Sequence, residues 1–227
     1  MKKVLLGIAI LAIAVMSQAQ RGGGFGGMMG GGGAAALLAR EDVKADLKLT
    51  DEQKDKLAAL MPTGDREAMM AMFQEIMKEA GISDFQEMRT EEGQKKMAPV
   101  MAKRMADMKK KQEAILTPEQ NKRLAEINVQ FNGNRVVTQA DVAKALSVTE
   151  EQTKAIADLS KKQGEAMRGL FQKVQSGEMT MEDVQASRKK NDEILDSEIG
   201  KLLTEKQKAQ LKEMAGTKKF ERKDEGN

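Results

Sequence analysis

The 227-residue sequence contains no cysteine, no histidine, no tryptophan and no tyrosine, and only six phenylalanines. Without cysteine there is no disulfide framework and no thiolate metal site. Without histidine the commonest general base and the commonest metal ligand are missing together. Zinc, nickel and copper(II) sites lose their usual donors. Charge is nearly balanced, with 38 Lys and Arg against 35 Asp and Glu. Nucleic-acid binding would need a net basic face with stacking rings, and neither is present. No nucleophile is paired with a base, and there is no phosphate loop or zinc motif. The glycine-rich stretch over 22–33 lacks the strand–turn–helix context of a nucleotide fingerprint. An enzyme is therefore not expected, nor is a cofactor or a resident metal.

The N-terminal region has the organisation of an export signal. Lys2 and Lys3 precede an apolar run over 4–16, and Ser17-Gln18-Ala19 places small residues at the cleavage positions. The run is shorter than the roughly 20 residues a membrane span needs. Residues 1–19 are therefore expected to be a signal peptide, and with no cysteine after them a lipid anchor is not expected. Removing its two Lys leaves 36 basic and 35 acidic residues. Residues 20–34 read as a flexible glycine-rich leader, because such a stretch cannot offset its ordering entropy. From there the strong helix formers Ala, Leu, Met, Glu, Lys, Gln and Arg dominate. Val, Ile and Thr are too sparse for a convincing strand. The only prolines, Pro62, Pro99 and Pro118, are each read as a helix end or start. The fold class predicted is all-α, with a charged, frayed tail over 217–227.

Four segments share one pattern: Leu49-Thr50-Asp51-Glu52-Gln53, Leu116-Thr117-Pro118-Glu119-Gln120, Val148-Thr149-Glu150-Glu151-Gln152 and Leu203-Thr204-Glu205-Lys206-Gln207. Seven residues after each Thr stand Leu57, Leu124, Ile156 and Leu211, and ten after stand Leu60, Ile127, Leu159 and Met214. The four form two pairs. Asp42-Val43 and Leu47 match Asp141-Val142 and Leu146 at an offset of 99, and Ile115-Leu116 matches Leu202-Leu203 at an offset of 87. The sequence is thus a tandem duplication, with units over 35–133 and 134–216 and a turn at Asn132-Gly133-Asn134.

Thr-x-x-Gln is a helix-start signal. The Thr hydroxyl accepts from the backbone amide three residues on, and the Gln side chain reaches back to the Thr amide. Pro118 and the acids of the first turns suit such starts. The motifs read as corners between helices rather than ligand sites. In the second unit the pattern predicts helices over 138–146, 150–175, 180–203 and 205–215, turning at Ser176-Gly177 and stopping at Gly216. In the first, Pro62-Thr63-Gly64 and Gly81-Ile82-Ser83 read as breaks.

Four paired copies behind an export signal, without cysteine, resemble the Spy/CpxP family of periplasmic LTxxQ-motif proteins over about 40–215. The resemblance implies two tandem helical-hairpin units with short capping helices in a thin, cradle-like architecture. It implies a soluble periplasmic protein with ATP-independent chaperone activity toward unfolded envelope proteins. It also implies pairing of units, as a homodimer or, given the duplication, within one chain. This sequence departs from the family pattern in carrying two units and in having Val148 where Leu is usual.

Met97, Met101, Met105 and Met108 make one helical stripe, and Met69, Met70, Met72, Phe73, Ile76 and Met77 form a second cluster. Such a stripe is either packed core or a soft surface for apolar clients, and a thin fold leaves room for both. Stripes in the second unit are narrower, interrupted by Gln163 and Asn191, and suggest a hairpin that needs a partner layer. Lys103 and Arg104, with Lys95, Lys96 and Lys109-Lys110-Lys111, flank the first stripe. They are either a solvated face paired with acids or cations that steer acidic clients. Two rival readings share the sequence: an envelope-stress regulator docking on the periplasmic domain of a sensor kinase, and a copper(I) or silver(I) sensing or resistance protein using Met97, Met101, Met105 and Met28-Met29.

Overall fold

A computed structural model describes residues 33–60 and 66–222. The expected signal peptide, nearly all of the glycine-rich leader including Met28-Met29, the break at Pro62-Thr63-Gly64 and the last tail residues lie outside the described residues. Among the described residues every regular element is helical: the chain is all-α. No helix there is long and apolar enough to cross a membrane. The helices are α1 (Ala34–Leu37), α2 (Glu41–Asp46), α3 (Asp51–Leu60), α4 (Arg66–Glu79), α5 (Phe85–Arg89), α6 (Glu91–Ile115) and α7 (Pro118–Asn132). A 3-10 helix (Gly133–Thr138) follows, then α8 (Ala140–Ala145), α9 (Glu150–Gln175), α10 (Met181–Leu202) and α11 (Glu205–Met214). The helices gather into two compact units, one over 34–125 and one over 126–219.

In the 34–125 unit α6 is the spine, and α3, α4 and α5 pack on it. Gly81, at φ +66, ends the α4 segment, and Asp84 caps α5 by accepting from the amides of Gln86 and Glu87 at 2.7 and 2.8 Å. Thr90 then takes an extended conformation, and its hydroxyl accepts from the Gly93 amide at 3.0 Å to start α6. Gly93 permits the close approach of α5, since a Cβ there would overlap the Glu87 carbonyl. The reading of Pro99 as a helix terminus is corrected here: Pro99 sits inside α6. Its ring removes one helical hydrogen bond, but the residue is exposed, so water can serve the freed carbonyl. The opposite face is held by Met97 and Ala98, 2% and 5% exposed. Burial of that face overrides the local preference of one proline.

In the 126–219 unit a single apolar cluster joins Val129, Val136, Val137 and Val142 to Ile156, Leu195, Ile199 and Leu211. Full burial of a side chain such as Ile199 contributes about 1.5–3 kcal/mol. The long hairpin α9–α10 grows out of this cluster and turns at Ser176-Gly177, with Gly177 at φ +78. After Ile156 no α9 residue is buried, and before Leu195 only Val184 of α10 is. Thr180 starts α10 through a full capping box with Asp183. Midway along the hairpin lies a polar belt. Gln163 donates to Asp192 at 2.8 Å, and the Asn191 amide lies 3.7 Å from the Met167 sulfur. Arg135 pairs with Asp192 at 3.0 Å. Each interruption in the apolar stripes therefore meets a residue of the opposite helix.

The helix expected over 138–146 begins later, at Ala140, with Gln139 extended before it. Thr138 instead closes the 3-10 helix, its hydroxyl donating to the Arg135 carbonyl at 2.8 Å. The reason is long-range: Asp196 of α10 accepts from the Asn134 amide at 2.7 Å and from its side chain at 3.1 Å. That carboxylate fixes the turn, and Gly133, at φ +56, leaves it room, since a Cβ would lie 2.5 Å from Asp196.

Lys48 and Ser147, 99 positions apart, share φ +51. Each follows the C-cap residue of a short helix, Leu47 or Leu146, where the next amide closes a six-residue loop: Leu49 N–H to Lys44 O at 3.1 Å and Val148 N–H to Ala143 O at 2.9 Å. Such left-handed positions favour glycine, and other residues there cost about 1 kcal/mol. Replacing Ser147 or Lys48 with Gly should therefore raise stability by up to about 1 kcal/mol in urea unfolding. A loss of stability would show that side-chain contacts at these sites outweigh the backbone term.

Candidate functional site

All four motifs form the reciprocal caps that their spacing predicts. The amides of Gln53, Gln120, Gln152 and Gln207 donate to the hydroxyls of Thr50, Thr117, Thr149 and Thr204 at 3.2–3.3 Å. In return each Gln Oε1 accepts from its Thr amide at 2.9–3.1 Å. Leu49, Leu116 and Leu203 are buried and Val148 is half-buried.

The glutamines do more than cap. Gln53 Nε2 donates to Gln120 Oε1 at 2.8 Å, and Gln120 Nε2 donates back to Gln53 Oε1 at 3.1 Å. The second proton of Gln53 Nε2 goes to the Ile115 carbonyl at 2.9 Å, and that of Gln120 Nε2 to the Leu47 carbonyl at 3.1 Å. Gln152 and Gln207 repeat this arrangement, at 2.8 and 3.0 Å to each other. Their remaining protons go to the Leu202 carbonyl at 2.7 Å and the Leu146 carbonyl at 3.3 Å. The carbonyl partners are related by the same offsets, 99 and 87, that the repeat showed. Each amide uses two donors and two acceptor positions, the full capacity of the group.

This pairing was the part sequence reasoning missed. Its signal was the placement of Gln at +3 on the same helical face as the apolar positions at +7 and +10, which puts the amide toward the interior. A second missed contact supports the first corner: Arg123 holds Asp46 by two hydrogen bonds, at 2.7 and 3.2 Å. A fully satisfied amide pair has no capacity left for a ligand. Among the described residues no cluster of His, Cys, Asp or Glu could hold a metal ion. A pocket of about 120 Å³ lies beside the first corner, lined by Leu38, Leu57, Leu60, Met108 and Gln112. Ligand pockets usually enclose several hundred Å³, so this one takes at most a side chain.

The methionine stripe on α6 is buried at its start, opens to solvent at Met105 and is covered again toward Gln112. Met97 and Met101 are 2% and 7% exposed, Met105 is 51% exposed, and Met108 is half-buried at the pocket. On α4, Phe73 is buried and stacks on Phe85 with ring centroids 5.1 Å apart, while Met72 is half-buried. Met70 and Phe85 are exposed. Arg104 bonds Glu79 at 2.9 Å and lies 3.6 Å from Glu75, and Lys103 lies 3.6 Å from Glu79. Arg104 thereby holds the Glu79 carboxyl below its usual range. Glu87 ties α5 to its surroundings. The Ser83 backbone amide, the Lys96 ammonium at 2.9 Å and the Ser83 hydroxyl together hold its carboxyl down to about 2. Lys103 keeps a largely exposed side chain, whereas Arg104 is engaged between α6 and α4.

An all-helical chain whose corners are locked in pairs by Thr-x-x-Gln segments defines a class of repeat-built LTxxQ proteins. Residues 39–128 match the model of the LTXXQ motif family protein. The match takes in the first motif pair, and the second pair repeats its hydrogen-bond pattern outside it. No curated protein and no solved structure matches the chain.

Gln207→Leu removes one half of a buried pair and strands Gln152 and the Leu146 carbonyl. It should cost about 2 kcal/mol in urea unfolding. Adding Gln152→Leu should cost less than the two single changes together, with a coupling of at least about 0.5 kcal/mol. Strict additivity would mean the two amides do not act as a pair. A folded-state pKa below the ordinary 4.5 means that the Glu87 contribution is present above that value and lost as pH falls toward about 2. Acid titration of the wild type should show stability falling across that window, and Glu87→Gln should flatten this part of the profile.

Proposed function

We propose that the chain is an exported, non-enzymatic, ATP-independent chaperone that holds unfolded or aggregation-prone envelope proteins on open apolar, methionine-bearing helix surfaces. The match of the 39–128 segment to the LTXXQ motif family supports the reading. The observation that carries it is the apolar row on α9. Leu159, Met167, Leu170 and Val174 recur at helical spacing and are only half-buried, and Phe171 beside them is 47% exposed. Ile194 on α10 is open as well. Exposed apolar residues scattered singly need no explanation, but a row left unclosed along a hairpin marks an interaction surface. In the 34–125 unit Met70, Phe85 and Met105 supply the open positions. Methionine and unclosed rows suit partners of variable shape, because a flexible thioether repacks at little cost. Lys103, with Lys110 and Lys111, adds exposed positive charge that draws acidic segments of a client.

The test is light scattering of a chemically denatured client diluted into the purified protein without ATP or added metal. Suppression near stoichiometric ratios is expected. Phe171→Ser with Ile194→Ser should raise the half-maximal dose by roughly threefold to tenfold, with melting little changed. Unchanged scattering across several clients would sink the chaperone reading.

A further inference from the structure

The chain's sulfur is all thioether: 18 methionines and no cysteine. An oxidant acting on it meets groups that pass reversibly to sulfoxide, turning a flexible apolar side chain into a polar one. Reactivity follows exposure, and exposure grades the described methionines from sealed to open. Along the single stripe of α6, Met97 and Met101 are sealed at 2% and 7%, while Met105, one turn further, is 51% exposed. Met181 at the start of α10 is 51% exposed and Met70 on α4 is 41% exposed. The most exposed sulfurs and the sealed ones on α6 are therefore different residues, with half-buried Met72, Met108 and Met167 between them.

We infer that Met70 and Met105 in the 34–125 unit, and Met181 in the 126–219 unit, are oxidant-responsive modification sites that switch the open surface of each unit from apolar to polar. The oxidant class is hypochlorous acid or a peroxide. The thioether sulfur gives up an electron pair and gains one oxygen. Hypochlorous acid leaves as chloride and a proton, and hydrogen peroxide leaves as water. Reversal by a methionine sulfoxide reductase removes that oxygen as water and oxidises a dithiol to a disulfide. The sulfoxide oxygen is a strong acceptor, so pressing it against an apolar client without a donor is unfavourable. Helix α6 stays in place, because Met97, Ala98 and Met101 on its packed face and the Arg104–Glu79 pair do not involve the modified sulfur. The inference rests on the reading of these surfaces as client-binding.

The experiment treats the full chain with graded hypochlorous acid, maps each sulfoxide by peptide mass spectrometry, follows helicity by circular dichroism and measures scattering suppression at each dose. Met70, Met105 and Met181 should convert several-fold faster than Met97 and Met101, with helicity retained. Suppression should fall as these three convert and return after reductase treatment. In the variant M70L/M105L/M181L, suppression measured against that variant's own unoxidised level should change little on oxidation. Three results would overturn the inference: Met97 and Met101 converting as fast as the others, suppression persisting with all three fully converted, or the variant losing suppression in step with the wild type. If the unoxidised wild type suppresses nothing, the chaperone reading is what fails; the sulfoxide map then decides the site by itself.

Discussion

A primary amide inside a helical corner is costly to bury unless each of its hydrogen-bonding positions is used. Two glutamines facing each other meet that condition in a way few side chains can. Each has a donor and an acceptor directed at the other, and each still has one proton and one lone pair for the backbone. In both units the remaining protons go to carbonyls that close a preceding helix: Leu47 and Leu146 at one short helix end, Ile115 and Leu202 at the end of a long one. The remaining lone pairs take the Thr amides at the start of the following helices. One amide pair thus serves two helix starts and two helix ends. Remove one member and unpaired groups appear at both corners, which is why the motif occurs in twos.

That constraint explains why the surrounding sequence is free to vary. With corners fixed by amides, the helices between them need only enough apolar surface to stay packed near the base. The 126–219 unit shows the consequence: its apolar cluster is concentrated around α8, α11 and the base of the hairpin. The outer hairpin holds itself with Val184 and a belt of polar contacts, Gln163 to Asp192 and Asn191 to Met167. A polar pair across two helices is a poor source of stability but a good register mark, since sliding the helices by a turn would leave both partners unpaired. The hairpin therefore keeps its alignment without a closed core, and its apolar row stays available.

Much of this organisation was legible in the sequence because it rests on local chemistry. Thr-x-x-Gln determines a helix start from four residues, and the start of α9 at Glu150 and of α11 at Glu205 follow from it. Gly177 and Gly216 occupy left-handed positions of the kind the turn and stop signals require. What was not legible depends on groups distant in sequence. Pro99 inside α6 follows from burial of Met97 and Ala98 against neighbouring helices, which no local rule contains. The late start of α8 depends on Asp196, 62 positions beyond Asn134. The glutamine pairing spans 67 and 55 positions, and the placement of each Gln on the inward face did not say what its amide would meet.

The same division separates the two roles of methionine on α6. Periodicity places Met97, Met101 and Met105 on one face, and nothing in the spacing says where that face stops being covered. The packing decides it: α6 is covered over its first three turns, where Gly93 admits α5 and Met97 and Met101 are buried, and open by Met105. With Met101 buried before it and Gln112 buried after it, the open position keeps a fixed backbone while its side chain adapts. A chaperone surface needs that combination: loose side chains follow the client's shape, and an anchored backbone avoids the ordering entropy that a flexible segment would lose on binding.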